Sequence, residues 1–265
     1  MQYGAMNFPV KSTCSEIVTF GRLGFDYVEL AMDPPQAHHS QVRDQQRAIR
    51  KTLDDFGMGI VCHLPTFVST ADLTESIRRA SVAEVLASLE LAAEMGAAKA
   101  VLHPSYMGGL SSHVADLWKG YALESLERIV EAGRDCGVML CLENLFPRIS
   151  PFSDPEAFRD VFSRFPDLAM TLDIGHAHMG EGGMTRVLDF IREFSDRIEH
   201  IHVSDNNGRR DEHLPVGKGS LDFRAVTSAL RTIGYDGTVT LEIFDPDRSQ
   251  LVHSRDALER LFHGT

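Results

Sequence analysis

The sequence is poor in the features that mark secreted and membrane-spanning proteins. It has only four cysteines in 265 residues, none of them in a C-x-x-C pair. No stretch approaches the roughly 20 consecutive apolar residues that a membrane span requires. The first residues contain neither a basic region nor an apolar run. We therefore expect a reduced, cytoplasmic protein with no membrane partner.

Positive charge is also scarce. The chain contains 26 lysine and arginine residues against 38 aspartate and glutamate residues, which gives a formal net charge of −12. This balance argues against a protein that grips nucleic acid over a broad surface. The argument against DNA as a partner is weak, because bound metal ions would offset part of the negative charge locally.

Short β-rich segments alternate with helical patterns along the chain. Eight segments are predicted as strands: 3–7, 27–31, 59–63, 100–103, 139–144, 169–173, 198–204 and 239–244. Between them, apolar residues recur at helical spacing, and the pattern often stops at a glycine such as Gly96 or Gly137. One unit per about 33 residues fits a βα repeat, so we predict a single-domain α/β protein, a (β/α)8 TIM barrel over residues 1–265. A doubly wound open sheet is the alternative, disfavoured because no G-x-G-x-x-G follows the first strand.

Ionisable side chains follow six consecutive predicted strands, from the third to the eighth. They are His63, His103, Glu143, Asp173 with His176, His202 and Glu242, and the loop after the seventh strand adds Asp211 and His213. In such a barrel the carboxyl ends of the strands meet at one mouth, so these groups are expected to converge. Without partners they would be costly to desolvate, and divalent metal ions would remove that cost. The mixed ligand set suits zinc, manganese or iron better than calcium or magnesium, and we expect one to three ions per chain.

Each of these residues taken alone also has a structural explanation. A strand-end histidine is often simply hydrogen-bonded, and Glu143-Asn144 could cap the following helix. The metal hypothesis therefore depends on the whole set. Among the other histidines, we expect His38-His39 to lie in a solvated loop and His200 to be a buried partner of the site or a core residue.

Further residues near the expected mouth are candidates for substrate binding. Glu29 closes the second predicted strand, Asn144 neighbours a proposed ligand, and Lys218 could hold a phosphate or carboxylate. A solvated basic loop is an equally good interpretation of Lys218. Four aromatic residues could form an apolar rim: Phe67, Tyr106, Phe146 and Phe244.

These motifs resemble the xylose-isomerase-like barrel superfamily, which joins sugar isomerases and epimerases with endonuclease IV (AP endonuclease family 2). The segments that carry the resemblance are Tyr27-Val28-Glu29-Leu30, Thr171-Leu172-Asp173-Ile174-Gly175-His176, His202-Val203-Ser204-Asp205-Asn206 and Asp211-Glu212-His213, together with Glu242. The resemblance covers nearly the whole chain.

The two branches of this superfamily imply different sites. The epimerase branch implies one metal held by two glutamates, an aspartate and a histidine, which match Glu143, Asp173, His202 and Glu242. Glu143 and Glu242 would then also be catalytic, as the acid/base pair on opposite faces of the substrate carbon. The endonuclease IV branch implies three zinc ions held by nine residues, and all nine of the ligands named above match.

Features outside the ligand set favour the epimerase branch. The first strand lacks the His-Val-Ser of the nuclease, and no basic loop interleaved with aromatic residues is present to grip a bent duplex. We therefore predict a divalent-metal-dependent sugar or sugar-phosphate isomerase or epimerase that transfers a proton through a metal-stabilised enediolate. Its partner would be a small polyhydroxy or phosphorylated substrate. The alternative is an endonuclease IV-like zinc phosphodiesterase acting on abasic-site DNA or a smaller phosphoester, and the chain could be a monomer or an oligomer.

Overall fold

Eight parallel strands close into a barrel in the computed structural model, which describes residues 1–147 and 149–264. The strands are β1 (Gln2–Met6), β2 (Tyr27–Ala31), β3 (Gly59–His63), β4 (Lys99–Leu102), β5 (Met139–Glu143), β6 (Ala169–Asp173), β7 (Ile198–Val203) and β8 (Thr238–Leu241). Each strand pairs with the next in sequence, and β8 pairs with β1, where Thr240 lies beside Gly4. The sheet therefore has no open edge, and the predicted single-domain (β/α)8 barrel is confirmed.

Helices connect the strands and form the outer layer. They are α1 (Thr13–Arg22), α2 (His39–Phe56), α3 (Glu75–Met95), α4 (Ala115–Cys136), α5 (Pro155–Arg164), α6 (Ile174–His178), α7 (Gly183–Glu193), α8 (Phe223–Thr232) and α9 (Ser249–His263), with a 3₁₀ helix at Gly109–Val114. As predicted, α3 and α4 end at Gly96 and Gly137, whose φ values of 79° and 69° are left-handed. The loop prediction for the two adjacent histidines is wrong, because His38 caps α2 and His39 begins it.

Five observed strands end before the predicted segments do: β1, β4, β5, β7 and β8. The predicted segments 100–103 and 239–244 extend beyond β4 and β8, which end at Leu102 and Leu241. The apolar residues continue past the end of β8 because the chain remains buried there, and Ile243 is only 1% exposed. His103 and Glu242 therefore lie one residue past their strands, on the lining of the barrel mouth.

The main core lies between the sheet and the helices, and a smaller one lies inside the barrel. The outer core contains large, fully buried side chains such as Trp118 and Phe158. Inside the barrel, Tyr27, Val61 and Val101 form a separate apolar cluster. This inner cluster fills the lower part of the barrel, so the polar side chains of the strand ends occupy the upper part.

The structure agrees with what the sequence indicates about disulfide bonds and membrane-spanning helices. Cys14, Cys62, Cys136 and Cys141 are free thiols on four different elements. None of the helices in the described ranges, 1–147 and 149–264, is both long and apolar enough to cross a membrane.

Candidate metal centre

The nine predicted ligands gather at the carboxyl ends of β3 to β8. Each lies within the last two residues of its strand or in the segment that follows, and parallel strands all leave the barrel at the same end. Seven of them line one cavity: His63, His103, Glu143, His176, Asp211, His213 and Glu242. The other two, Asp173 and His202, are 1% and 0% exposed and lie beneath its floor.

Glu143 is at the centre of this arrangement. Its Oε2 atom lies 3.0 Å from His103 Nε2, 3.4 Å from His63 Nε2 and 3.5 Å from His202 Nδ1. Its Oε1 atom lies 3.1 Å from His176 Nδ1. A carboxylate with imidazoles around both oxygens can bridge two metal ions.

Two compact groups of ligand atoms share Glu143. His63, His103 and Glu143 form the first, and Glu143, Asp173 and His202 form the second, with the ligand atoms of each group within 4.8 Å of one another. Glu242 joins the second group, because its Oε1 lies 3.0 Å from His202 Nδ1. Atoms that surround a zinc ion at about 2 Å lie roughly 3 to 4 Å apart, so both groups have dimensions that suit an ion.

A third group lies on the open side of the centre. Asp211 Oδ2 is 3.0 Å from His213 Nε2 and 3.4 Å from His176 Nε2. The backbone of His213 has φ 47°, a left-handed conformation that is rare outside glycine, and its Nδ1 lies 2.9 Å from Glu242 O. This unusual backbone conformation turns the imidazole towards Asp211.

Hydrogen bonds determine which nitrogen each histidine presents to the centre. His63 Nδ1 donates to Leu64 O at 2.8 Å, and His176 Nδ1 donates to Asn144 O at 3.0 Å. A carbonyl oxygen only accepts, so Nδ1 carries a proton in both rings, and Nε2 offers a lone pair when the ring is neutral. In His202 the anchored atom is Nε2, which leaves Nδ1 facing the carboxylates.

Three buried polar atoms of the centre have no hydrogen-bond partner among the described residues: Asp173 Oδ2, His202 Nδ1 and Asp211 Oδ1. All three belong to predicted ligands. Buried polar atoms are nearly always paired, and an unpaired one costs about 1–3 kcal/mol. Cations bound in the groups to which these atoms belong would satisfy them.

The carboxylates differ in their tendency to ionise. Burial alone would raise the pKa of Glu143, but the imidazoles of His103 and His202 hold that pKa well below its usual range. Burial would also raise the pKa of Glu242, and His202 lowers it. By contrast, burial, reinforced by the two glutamates, raises the pKa of Asp173. At neutral pH the two glutamates are therefore ionised bases.

The structure places Glu29, which the sequence suggests as a substrate contact, below the site, where it does not line the cavity. Its side chain is fully buried, and its two oxygens accept hydrogen bonds from His202 Nε2 at 2.9 Å and His200 Nε2 at 2.8 Å. The register explains this depth, because β2 continues to Ala31, and Ala31 rather than Glu29 is level with His63. Glu29 is a partner of the proposed ligand His202, and His200 is a buried partner of the site, one of its two predicted roles.

The other two predicted substrate contacts, Asn144 and Lys218, do not line the cavity. Asn144 is fully buried, where its amide donates to Asp173 O and accepts from Asp173 N, both at 2.9 Å. It therefore positions Asp173. Lys218 is exposed and does not line the cavity. Its loop folds back around the Asp205 carboxylate, which accepts from the backbone N–H of Gly217 at 3.0 Å.

A cavity of about 560 Å³ opens above the centre. The predicted apolar rim is confirmed, since its four aromatic residues all line this cavity: Phe67, Tyr106, Phe146 and Phe244. Asp33 also lines it, and the sequence analysis missed this residue although it follows β2 by two positions. The lining that the structure describes contains no lysine or arginine.

The sequence and the fold agree with those of known proteins. Residues 21–261 match the family described as xylose isomerase-like TIM barrel. An uncharacterised protein of Methanocaldococcus jannaschii is 32% identical over 203 residues, which cover 71% of this chain and 66% of that protein, just under two thirds. Fructoselysine 3-epimerase of Escherichia coli O157:H7 is 25% identical over 190 residues, 70% of this chain and 67% of the epimerase. A probable endonuclease 4 of Mycobacterium leprae is 24% identical over 228 residues, 80% of this chain and 82% of that protein.

A solved structure extends the similarity to the complete barrel. The crystal structure of a D-tagatose 3-epimerase-like protein superposes with a TM-score of 0.88 at 26% identity, over 99% of this chain and 97% of that one. The relatives thus include both sugar epimerases and an endonuclease, the same two branches that the motifs resemble. The chain belongs to the xylose isomerase-like TIM barrel family.

Proposed function

We propose that this protein is a divalent-metal-dependent sugar epimerase or isomerase that moves a proton between two carboxylates. The observation that carries the proposal is the position of Glu143 and Glu242 around one imidazole nitrogen. Glu242 Oε1 lies 3.0 Å and Glu143 Oε2 3.5 Å from His202 Nδ1. Both glutamates also line the cavity, so both can reach a substrate held there.

The residues at the floor of the cavity suit a divalent ion. The ion would be held by Glu143, Asp173, His202 and Glu242. It would supply a partner for two buried atoms that have no hydrogen bond, Asp173 Oδ2 and His202 Nδ1. Three carboxylates and one imidazole form a donor set typical of manganese, iron or zinc. When bound, the ion would polarise a substrate carbonyl as a Lewis acid and orient the adjacent hydroxyl.

The two glutamates would carry the proton. Because their pKa values are lowered, both are carboxylates at neutral pH, and one of them can remove the proton from the carbon next to the carbonyl. The electrons of the broken C–H bond move towards the carbonyl oxygen. The other glutamate is ionised in the free protein, so it must first take up a proton from solvent, which it then delivers to the opposite face and so inverts the stereocentre. The first glutamate afterwards releases its proton to solvent.

The walls of the cavity favour a neutral sugar over a phosphorylated one. Phosphate groups are usually held by arginine, lysine or helix N-termini, and the described lining supplies no arginine or lysine. Asp33, 4% exposed, provides a carboxylate that can accept from sugar hydroxyls. The aromatic rim provides apolar surface for the C–H face of a sugar ring.

The relatives give independent support to this choice of reaction. The D-tagatose 3-epimerase-like structure matches the whole chain at 26% identity, and fructoselysine 3-epimerase matches 70% of it. Both names describe epimerisation at carbon 3 of a ketose or ketosamine. We therefore place this protein's substrate among neutral ketoses and their derivatives.

A phosphodiesterase of the endonuclease IV type is the second candidate. It is favoured by one observation, the presence of five ligands that a single-metal epimerase leaves unused: His63, His103, His176, Asp211 and His213. Paired ions in this extended set could clamp a phosphate. The scarcity of basic residues on the described lining argues against it.

Incubation with a panel of ketoses in D₂O tests the proposal. We expect deuterium to enter the substrate at the carbon next to the carbonyl, with formation of the epimer, and we expect this activity to disappear after chelation and return with added Mn²⁺ or Zn²⁺. The same preparation is assayed on abasic-site DNA. Strand cleavage without deuterium incorporation into any ketose would overturn the proposal in favour of the second candidate.

A further inference from the structure

Two histidines and a glutamate form a cluster on the helical layer, outside the barrel mouth. His38 Nε2 and His39 Nε2 lie 3.0 Å and 3.1 Å from the same atom, Glu84 Oε2. The two imidazole rings are 4.1 Å apart between centroids. The potential ligand atoms all lie within 4.8 Å of one another, the same criterion that the groups around Glu143 satisfy.

The cluster joins two helices. His38 and His39 stand at the start of α2, whereas Glu84 lies on α3. The ring of His38 is oriented by Ser40, whose Oγ lies 2.9 Å from His38 Nδ1. The side chains are 31%, 20% and 44% exposed in the order His38, His39 and Glu84, so an ion from solvent can reach them.

We propose that His38, His39 and Glu84 form a zinc site separate from the centre at the barrel mouth. Two imidazoles and one carboxylate are a ligand set that zinc uses in open sites, with the remaining position left to water or another donor. Calcium and magnesium prefer oxygen-rich sites, so they fit this set poorly. None of the three residues lines the mouth cavity, so the site does not extend the centre already described.

The three potential ligand atoms are His38 Nε2, His39 Nε2 and Glu84 Oε2. Both Nε2 atoms lie close to one carboxylate oxygen, and an ion placed among the three atoms would replace two N–H···O contacts with coordinate bonds. Without an ion, His38 Nδ1 accepts from the backbone N–H of Ser40 at 3.3 Å, and Nε2 carries the proton that faces Glu84. Zinc at Nε2 requires that proton to move to Nδ1, which would then donate to Ser40 Oγ, 2.9 Å away, in place of the backbone contact. Ser40 thus has the role of the outer hydrogen-bond partner that zinc-bound histidines usually have.

Zinc at this site would act as a clamp on one wall of the mouth cavity. The segment that leads into α2 contains Asp33, and the segment that leads into α3 contains Thr66; both residues line the cavity. Asp33 Oδ1 already accepts from Thr66 N at 3.0 Å, which joins the two segments near the cavity. A link between α2 and α3 through zinc would hold the same two segments together from the outside.

Calorimetric titration with zinc tests this site on protein whose mouth centre has already been filled. We expect the wild-type chain to bind one further zinc per chain. We expect Glu84→Gln and the double variant His38→Ala/His39→Ala to lose this binding. His253→Ala removes another exposed histidine and is the matched control that retains it. Glu84→Gln keeps both histidines, one of which caps α2, so it still tests the site if the double variant does not fold.

Hydrogen exchange provides a second measurement. We expect added zinc to slow amide exchange in residues 33–40 and 66–69 of the wild-type protein, with no such change in Glu84→Gln. Equal zinc binding in the wild type and in both cluster variants would overturn the proposal, since the three side chains would then be joined by hydrogen bonds alone. A further zinc that survives in Glu84→Gln would overturn it as well.

Discussion

His202 donates its Nε2 hydrogen to Glu29 Oε1 across 2.9 Å, and both side chains are fully buried. Glu29 in turn accepts from His200, whose Nδ1 lies 2.7 Å from Thr238 Oγ1. This chain of contacts fixes the tautomer of His202, so that its Nδ1 lone pair faces Glu143 and Glu242. A carboxylate behind a metal-binding histidine also raises the basicity of the ring.

The first prediction follows from this contact. Glu29→Gln keeps the size of the side chain but removes its negative charge, so we expect the affinity for the metal at the floor of the cavity to fall about 10- to 100-fold. Competition with a chelator of known affinity measures the change. The control Tyr27→Phe removes a buried hydroxyl from the same barrel interior, one that is hydrogen-bonded to Thr240 and not to His202. This variant should bind metal as the wild type does. Equal affinities for Glu29→Gln and Tyr27→Phe would show that Glu29 only fills space.

The second prediction concerns pH. Burial opposes protonation of His63 and His213, but Glu143 raises the pKa of His63 and Asp211 that of His213, each to about 9. Metal ligation requires the neutral rings, so the affinity for additional ions held by His63 or His213, outside the four-residue centre, should rise between pH 7 and pH 9, by up to about tenfold per pH unit for each proton displaced. Calorimetry in two buffers of different ionisation enthalpy counts the released protons. Proton release of zero at pH 7 would contradict the prediction.

The same raised pKa values affect folding of the chelated protein. A pKa above the ordinary value of about 6.5 means that protonation favours the folded state. The stabilisation from His63 and His213 is therefore complete below about pH 6.5 and is lost as the pH rises through about 9. We expect the thermal midpoint of the EDTA-treated protein to fall over this range, and that of the metal-loaded protein to change less. Parallel curves would show that these histidines do not control stability.

The third prediction separates the two candidate functions. His213→Ala removes a ligand that a single-metal epimerase does not need, so ketose epimerisation should persist while total metal content falls. A phosphodiesterase that depends on all nine ligands should instead lose its activity with the same variant. Metal analysis and the two assays on one preparation distinguish these outcomes. If epimerisation disappeared with His213→Ala, the proposed four-residue centre would be incomplete.

The fourth prediction tests the acid/base pair. Glu242→Gln keeps an oxygen donor but loses the negative charge and cannot accept a proton, so we expect epimerisation to fall by about 10²–10⁴-fold even when excess metal restores full occupancy. Glu90→Gln, an exposed substitution on α3, is the control. Loss of the metal together with the activity would show that Glu242 acts through ligation and not through proton transfer.

The fifth prediction concerns the rim. Phe67 is 83% exposed although it lines the cavity. Phe67→Ala should therefore raise KM with little effect on kcat, and should change the free energy of unfolding by no more than about 0.5 kcal/mol. Leu110→Ala removes an apolar side chain that is 74% exposed and lies outside the cavity lining, and should leave both constants unchanged. An unchanged KM in Phe67→Ala would exclude the rim from substrate binding.

The fold and the convergence of the proposed ligands at the barrel mouth were accessible from the sequence because both depend on local patterns. Parallel strands bring all their carboxyl ends together, so it is enough to know that a strand ends near His63 or Asp173 to place that residue at the mouth. Depth within the barrel depends on how far each strand continues and on its register with the neighbour. Glu29 was misplaced for this reason, since β2 extends two residues beyond it.

Contacts between distant elements were not predictable in the same way. Nothing in the sequence around His38-His39 indicates that Glu84, 45 residues further on, lies within 3.1 Å of His39. Asn144 is similar, because the sequence shows that it neighbours a ligand but not that both ends of its amide are bonded to the backbone of Asp173. Such pairings are set by the packing of helices and strand ends.

The pairing of β8 with β1 has a consequence for how the protein matures in the cell. The third strand supplies His63, whereas Glu242 follows the last strand, so the donors come from segments made early and late in translation. Glu242 reaches its position only when β8 docks against β1 and closes the ring. A nascent chain on the ribosome therefore lacks a complete set of the proposed donors until β8 has been made, so capture of an ion by that set would follow synthesis and docking of β8.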